Sequence, residues 1–171
     1  MDEQINIRIR APQAGDGNGL ARTWLDAANY YVKLSSELFQ IPDTAGLVQW
    51  CEDWIAPIHS ETSFLRVAEY DNRVIGFVSA TIHPPVKKAH YQWVRDVTRI
   101  RLTIDALIVQ QAYWRHGVGS RLMDAAEKWG QSQGAVIVLL DTYIDSPVSV
   151  AFYERQMGYH RRALYFRKVL H

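Results

Sequence analysis

A chain of 171 residues is long enough for one domain with a full hydrophobic core. Hydrophobic residues at 48% and charged residues at 22% are the balance of an ordinary globular protein in water. The net charge of +1 excludes the strong imbalance that marks nucleic-acid binders and partners of highly charged surfaces.

A single cysteine, Cys51, leaves no disulfide within the chain and suits a reducing cytosol, so a cytoplasmic protein is expected. The opening MDEQINIRIR carries acids and alternation, not the basic end and apolar block of a signal peptide. No apolar run approaches the ~20 residues that span a bilayer, and no membrane partner is expected. Without repeats, low-complexity tracts or a composition break, residues 1–171 read as one domain.

In chain order, Ile5, Ile7 and Ile9 alternate with polar residues and predict a half-buried strand ending at Ala11-Pro12. GDGNG, Gly15 to Gly19, reads as a turn into a helix with Leu20, Trp24, Ala27, Ala28 and Tyr31 on one face. Pro42 breaks that pattern, and Asp43 or Thr44 is placed to cap a second helix to about Ile58. SFLRVAEY and VIGFVSATI, on either side of Asp71-Asn72-Arg73, predict a hairpin. After Pro84-Pro85 comes a polar and aromatic segment, KKAHYQWVRDVTRIR, and then a longer strand from about Arg99 to Val109. The helix after Gly117 carries Val118, Leu122, Ala125, Ala126 and Trp129 on one stripe, and Gly134 is placed to stop it. AVIVLL, Ala135 to Leu140, is continuously apolar, as in a strand covered on both faces. Ser146-Pro147 reads as an N-cap with proline at the first position of a helix reaching Gly158. Tyr159 to Val169 reads as a last strand or hairpin. The order βααβββαβαβ is an α/β (α+β) fold, a mixed sheet with helices packed on it.

YWRHGVGSRL, Tyr113 to Leu122, stands where the apolar strand hands over to the third helix. A P-loop would continue differently after Gly117, and a dinucleotide fingerprint would need a third glycine where Leu122 stands. What remains is strand, short basic loop, G-x-G and amphipathic helix. Glycine there lets a ligand approach the backbone, and the unpaired first N–H groups of a helix favour an anion such as a pyrophosphate. Arg115 adds a permanent positive charge beside it.

IDALIVQQAYWRHGVGSRLM resembles the central motif of the GNAT superfamily of acyl-CoA-dependent N-acyltransferases, an apolar strand, a short link and Arg/Gln-x-x-Gly-x-Gly/Ala opening a helix. SPVSVAFYERQMGYHRRALYF is similar to the family's N-x-x-A-x-x-[FL]-Y-E-x-x-G-F, in the same order and at the same separation. The resemblance runs from the first strand to the last and implies a single GNAT-like N-acetyltransferase domain with a mixed, mostly antiparallel central sheet. It implies acetyl-CoA as cosubstrate, no metal, and a primary amine of a small molecule or protein as acceptor. The coenzyme would meet Leu107, Ile108 and Val109 on the strand, then Trp114, Arg115, His116, Gly117, Val118, Gly119 and Ser120 around the loop. Ser146, Ser149 and Tyr153 would meet it from the second motif. Two positions depart from the family. Trp114 stands at the Arg/Gln that contributes to pyrophosphate binding, and Ser146 stands at the Asn. Weaker coenzyme binding with the backbone donors kept is the expectation.

In GNAT enzymes the amine attacks the thioester directly, so Cys51 need not be a nucleophile and reads as a small core residue. Tyr153 aligns with the family tyrosine near the coenzyme sulfur, and a phenol of pKa ~10 can protonate a thiolate. Its other reading is an aromatic on the buried helix face beside Phe152. Asp105 is the candidate base, on the strand facing the thioester. An ordinary Asp pKa of ~3.9 is too low, so the role needs burial or a relaying water. The equal alternative is a carboxylate that orients a substrate cation. The thioester carbonyl is expected to meet N–H groups around Ile108 and Val109, at a bulge where the family opens its sheet for the pantetheine arm.

Tyr30, Tyr31 and Trp50 read as core or acceptor-pocket residues. Tyr91 and Trp93, among Lys87, Lys88, Arg95, Arg99 and Arg101, read as aromatics of a solvated loop that cover the core or a homodimer contact. A nucleic-acid surface is the distant alternative, and no nucleic-acid partner is expected. His83, His90 and His160 lack metal-ligand spacing. The competing functional reading is a GNAT-like module that binds acyl-CoA without efficient turnover.

Overall fold

Asp71 and Asn72 both take left-handed backbone, φ 50° and 55°, the conformation a two-residue hairpin turn requires. In the computed structural model, which describes residues 6–55 and 61–170, this turn joins β2 (Ser63–Tyr70) to β3 (Arg73–His83). β1 (Arg8–Arg10) pairs antiparallel with β2, and β4 (Arg101–Val109) pairs antiparallel with β3. β5 (Ile137–Leu139) lies parallel to β4 and ends a five-stranded sheet of order β1-β2-β3-β4-β5. The mixed, mostly antiparallel sheet is as expected.

Side chains alternate between the two faces of β2. Leu65 and Val67 join Leu20, Ala21, Leu47, Cys51 and Phe77 in a buried cluster under α1 (Gly17–Leu34) and α2 (Leu47–Asp53). Phe64 instead stacks on Trp129 of α3 (Val118–Ser132), ring centroids 4.9 Å apart. The sheet is thus covered by α1 and α2 on one face and by α3 on the other. Two glycines permit this closeness: a Cβ on Gly19 would sit 2.6 Å from Val74 Cβ, and one on Gly130 2.7 Å from Leu102 Cδ2. Cys51 is fully buried, and burial pushes its thiol up to about 11, so it is a core residue as expected.

GDGNG does turn into a helix, and α1 begins inside it at Gly17. Glu52 of α2 takes the Gly15 N–H at 2.6 Å and the Gly17 N–H at 2.7 Å, one on each oxygen. The first N–H of α1 is therefore taken from within the protein by a carboxylate at the helix's positive end. Beside it, Asp16 receives Arg10 NH1 at 2.6 Å, Arg10 NH2 at 2.9 Å and the Gln13 N–H at 2.8 Å, while Arg10 Nε reaches Glu69 at 2.7 Å. Burial pulls the Asp16 carboxyl up, yet the hydrogen bonds from Arg10 and Gln13 hold it below the ordinary carboxylate range. A carboxyl lowered on folding contributes stability above its unfolded pKa of about 3.9, and that contribution is lost as pH falls through the folded value. Asp16→Asn is expected to cost about 1–3 kcal/mol at neutral pH and progressively less in acid, read by urea unfolding at both. An equal deficit at neutral and strongly acidic pH would refute the pairing.

Several expectations are corrected. α2 starts from Gly46, left-handed at φ 74°, while Asp43 Oδ1 takes the Ala45 N–H in the turn before it. The expected extension to Ile58, like Ile5 of the first strand, lies outside the described residues. β5 covers three residues and not the whole of AVIVLL, because β4 runs beside it only at Arg101–Thr103. Between β3 and β4 lie two 3-10 turns, Ala89–Tyr91 and Arg95–Thr98. Tyr91 is exposed and Trp93 is 93% exposed, so this loop is solvated and its aromatics do not cover the core.

The chain divides into two compact units, Met1–Leu140 and Asp141–His171. In the second, α4 (Pro147–Ala151) is capped as expected, with Ser146 Oγ accepting the Ser149 N–H at 3.2 Å and proline at the first turn. The helix then widens. Phe152–Gln156 is a π-turn, with Met157 N–H bonding Phe152 O at 3.1 Å, and left-handed Gly158, φ 74°, follows. The expected last strand does not form over residues 159–170. A strand needs a core to take one face, and here Leu164 and Phe166 on one parity and Tyr165 on the other are all exposed. No helix among the described residues is long and apolar enough to cross a membrane.

Candidate functional site

β4 loses its neighbour partway along. Arg101, Leu102 and Thr103 pair with Ile137, Val138 and Leu139, and from Ile104 to Val109 that edge of β4 has no strand partner among the described residues. On the other edge, Ala106 pairs with Ser79 and Ile104 with Ala80, leaving Asp105 between them as a bulge. The bulge was expected near Ile108 and Val109, which instead keep regular register opposite Phe77 and Gly76. Close approach explains that regularity: a Cβ at Gly76 would come 2.9 Å from Ile108 O. Asp105 is exposed, and Thr81 Oγ1 donates to its Oδ2 at 2.7 Å.

Beyond β4 the chain makes a 3-10 turn at Gln111–Tyr113 and enters the loop. Trp114 turns back, its Nε1 donating to Val109 O at 2.7 Å and its ring standing edge-on to Tyr30 at 4.9 Å. Arg115 and Gly117 are left-handed, φ 64° and 75°, with His116 between them. Such a succession turns neighbouring N–H groups toward a shared concavity. Among the described residues no acceptor takes the N–H of Arg115, His116, Gly117, Val118 or Gly119. No acidic residue lies in the first turn of α3. A Cβ on Gly117 would meet nothing within 4 Å, so the space before the loop is open. Arg115 and His116 are exposed at its rim, while Val118 is buried and offers only its backbone. Amides left without a backbone acceptor at the positive end of a fifteen-residue helix are an arrangement that favours an anion.

Sequence reasoning missed the residues that hold this loop on α1. Asp26 Oδ2 accepts the Gln111 N–H at 2.7 Å, and Gln110 Nε2 donates to Thr23 Oγ1 at 2.9 Å and to Val74 O at 3.1 Å. Tyr30 packs on Trp114 with its hydroxyl buried and without a hydrogen bond among the described residues. No local spacing points from the Gln-Gln pair to a helix 85 residues earlier.

In the second unit, Ser146 is buried, and its hydroxyl caps α4 and also bonds Ser149 Oγ at 3.0 Å. Tyr153 lies in the π-turn, half-buried, with edge contacts to Phe152 at 5.2 Å and Tyr159 at 5.9 Å.

The acetyltransferase (GNAT) family model matches residues 19–159. The chain belongs to the GNAT acetyltransferase family. Solved structures share its fold at low identity. A mutant of the BH1408 protein from Bacillus halodurans is 17% identical, covering 95% of this chain and 99% of that one, with a TM-score of 0.78. An acetyltransferase from Trypanosoma brucei is 18% identical, covering 96% and 100%, at a TM-score of 0.65. The structure of AAC(6')-Iy in complex with a bisubstrate analogue, CoA-S-monomethyl-acetylneamine, is 17% identical, covering 96% and 99%, at 0.62. Comparison with curated proteins finds no match. In this GNAT chain the Trp114 indole has its single donor engaged by Val109 O. Among the described residues no group of His, Cys, Asp and Glu could hold a metal ion.

Proposed function

We propose that this protein is a cytoplasmic N-acetyltransferase, one functional domain over residues 1–171, that moves the acetyl group of acetyl-CoA directly to a primary amine. The observation that carries the reading is the run of acceptor-free amides from Arg115 to Gly119 at the head of α3, in a chain of the GNAT acetyltransferase family. These amides, with Ser120 in the next position and Arg115 and His116 at the rim, bind the diphosphate of the coenzyme. The unpartnered edge of β4 past Thr103 receives the pantetheine arm at Leu107, Ile108 and Val109. The amine nitrogen attacks the thioester carbonyl carbon, the carbon–sulfur bond breaks, and the departing thiolate takes the proton of the Tyr153 hydroxyl. Ser146 and Ser149, the positions at α4 that the family resemblance gives to the coenzyme, are hydrogen-bonded to each other through their hydroxyls.

Asp105 is exposed, and Thr81 Oγ1 donates to its carboxylate. We read it as the charge that orients the ammonium form of the acceptor, or holds the water that accepts its proton. AAC(6')-Iy is an aminoglycoside acetyltransferase. A polycation of that kind would call for an acidic groove, whereas here Trp50 of α2 is exposed beside Trp24 and Trp54, which pack on the core, with ring centroids 4.4 to 5.6 Å apart. An acceptor with one amine on an apolar body suits that better.

Thermal unfolding with and without acetyl-CoA tests the reading. Ligand at ~100 times its Kd adds about 2.7 kcal/mol. For a domain of this size the midpoint should rise by roughly 5–10 °C. No shift at millimolar coenzyme would sink it. The second reading, a module that binds acyl-CoA without efficient turnover, is favoured by Trp114, which replaces a side-chain donor to the diphosphate. It predicts the same shift with no release of free thiol across a panel of amines.

A further inference from the structure

On the α3 face of the sheet a cavity of about 490 Å³ is lined by Glu61, Ser63, Phe64, Arg66, Trp129 and Gln133. It meets the C-terminal end of α3, and at ~1.5 Å per residue the length of that helix sets it about 20 Å from the Gly117 loop. The coenzyme reading does not use it.

Arg66 is the residue that needs explaining. It sits within β2 opposite Val78 of β3, one residue before the stretch that β1 pairs with, on the same face as buried Phe64 and Ala68. A half-buried guanidinium there is costly without a counter-charge, and an aliphatic side chain would pack the position better. NH1 donates to Leu65 O at 2.8 Å, and Cζ stands 4.6 Å above the Phe64 ring. None of the ion pairs among the described residues involves Arg66. Burial lowers its pKa, and no neighbouring charge acts to raise it. Arg10, on neighbouring β1, shows the contrast: its guanidinium is held by Asp16 and Glu69 together. Trp129 stacks face to face on buried Phe64, 23° from parallel, so Trp129 is the aromatic that the cavity beside Arg66 offers, and Ser63 and Gln133 supply a hydroxyl and an amide.

We propose that this cavity binds a small monocarboxylate with an aromatic body, its carboxylate on the Arg66 guanidinium and its ring against Trp129. Arginine meets a carboxylate through two parallel N–H bonds, and its planar charge tolerates the adjacent rings. Glu61 and the carbonyl end of α3 share the cavity, so a second negative charge on the ligand is disfavoured. The site therefore prefers a carboxylate to a phosphate monoester.

Calorimetric titration of the full chain with benzoate, benzyl alcohol and phenyl phosphate tests this. Benzoate is expected to bind at least about tenfold more tightly than either of the others, since a charge-assisted pair to arginine is worth that much. Arg66→Met should lower benzoate affinity about tenfold or more while the protein still unfolds cooperatively. Glu61→Gln should narrow the gap between benzoate and phenyl phosphate. If Arg66→Met does not fold, Arg66→Lys, which keeps the charge and loses the fork, decides by a loss of about threefold or more. Failure of benzoate to bind at tens of millimolar, equal binding of the alcohol, or unchanged affinity in the variant that folds would overturn the proposal. Acetyl-CoA is absent from every arm, so these outcomes are independent of the acetyl-transfer reading.

Discussion

Tyr153→Phe is expected to slow acetyl transfer by about a hundredfold or more while acetyl-CoA affinity stays within about threefold. The thiolate that leaves the tetrahedral intermediate is the anion of a thiol of pKa ~8.5, and a proton delivered as the carbon–sulfur bond breaks removes the charge that develops on sulfur and stops the thiolate from re-attacking. A phenol supplies that proton, and phenylalanine keeps the ring without it. The edge contacts of Tyr153 with Phe152 and Tyr159 involve the ring, which phenylalanine keeps. Initial rates of thiol release give kcat and KM, and the coenzyme-induced thermal shift gives binding separately. A raised KM at unchanged kcat would make Tyr153 a packing residue of the coenzyme site and remove it from the proton transfer.

Gly117→Asp should lower coenzyme affinity by about a hundredfold, with protein stability changed by no more than about 1 kcal/mol. Gly117 is left-handed, φ 75°, a conformation that aspartate tolerates better than most residues, and its Cβ would enter open space. A carboxylate near the first turn of α3 also interacts favourably with the helix dipole, by ~0.3–1 kcal/mol, and this offsets the backbone strain. The same carboxylate would stand where the diphosphate binds, and like charges placed together cost several kcal/mol. The variant would give α3 what Glu52 already gives α1, a carboxylate at the helix head. Chemical unfolding and the acetyl-CoA thermal shift measure the two effects. Unchanged coenzyme affinity would mean that the diphosphate binds elsewhere.

The parts legible in the sequence are those set by local chemistry. The hairpin at Asp71-Asn72, the cap at Ser146-Pro147 and the stop at Gly134 each depend on a few neighbouring residues, and each formed. The glycine loop was legible because the apolar strand before it and the stripe after it fix the element types on either side. What failed depends on distant pairing. AVIVLL records which residues avoid water, but the length of β5 is set by where β4 diverges from it, at Thr103. The bulge at Asp105 is a one-residue slip against Ser79 and Ala80, which no composition reveals. The π-turn spans five residues, too few for its period to be told from 3.6. The tether from Gln111 to Asp26 crosses 85 residues of sequence. The tail, Tyr159–Val169, has the alternation of a strand, but alternation only states a preference for a face to bury.

The parting of β4 from β5 has a further consequence for how this protein behaves at high concentration. An unpaired strand edge invites the sheet of another molecule, and proteins usually guard such edges with charge, proline or a covering element. Here Arg101–Thr103 are taken by β5, Ile104 to Val109 have no strand partner on that edge among the described residues, and the Trp114 indole already occupies Val109 O at the far end. An invading strand would be stopped at Ile104 by a neighbour that is already in place. The edge is long enough for one extended arm and short for a stable intermolecular sheet, so it can stay sticky toward a small molecule without drawing copies of the chain into fibres.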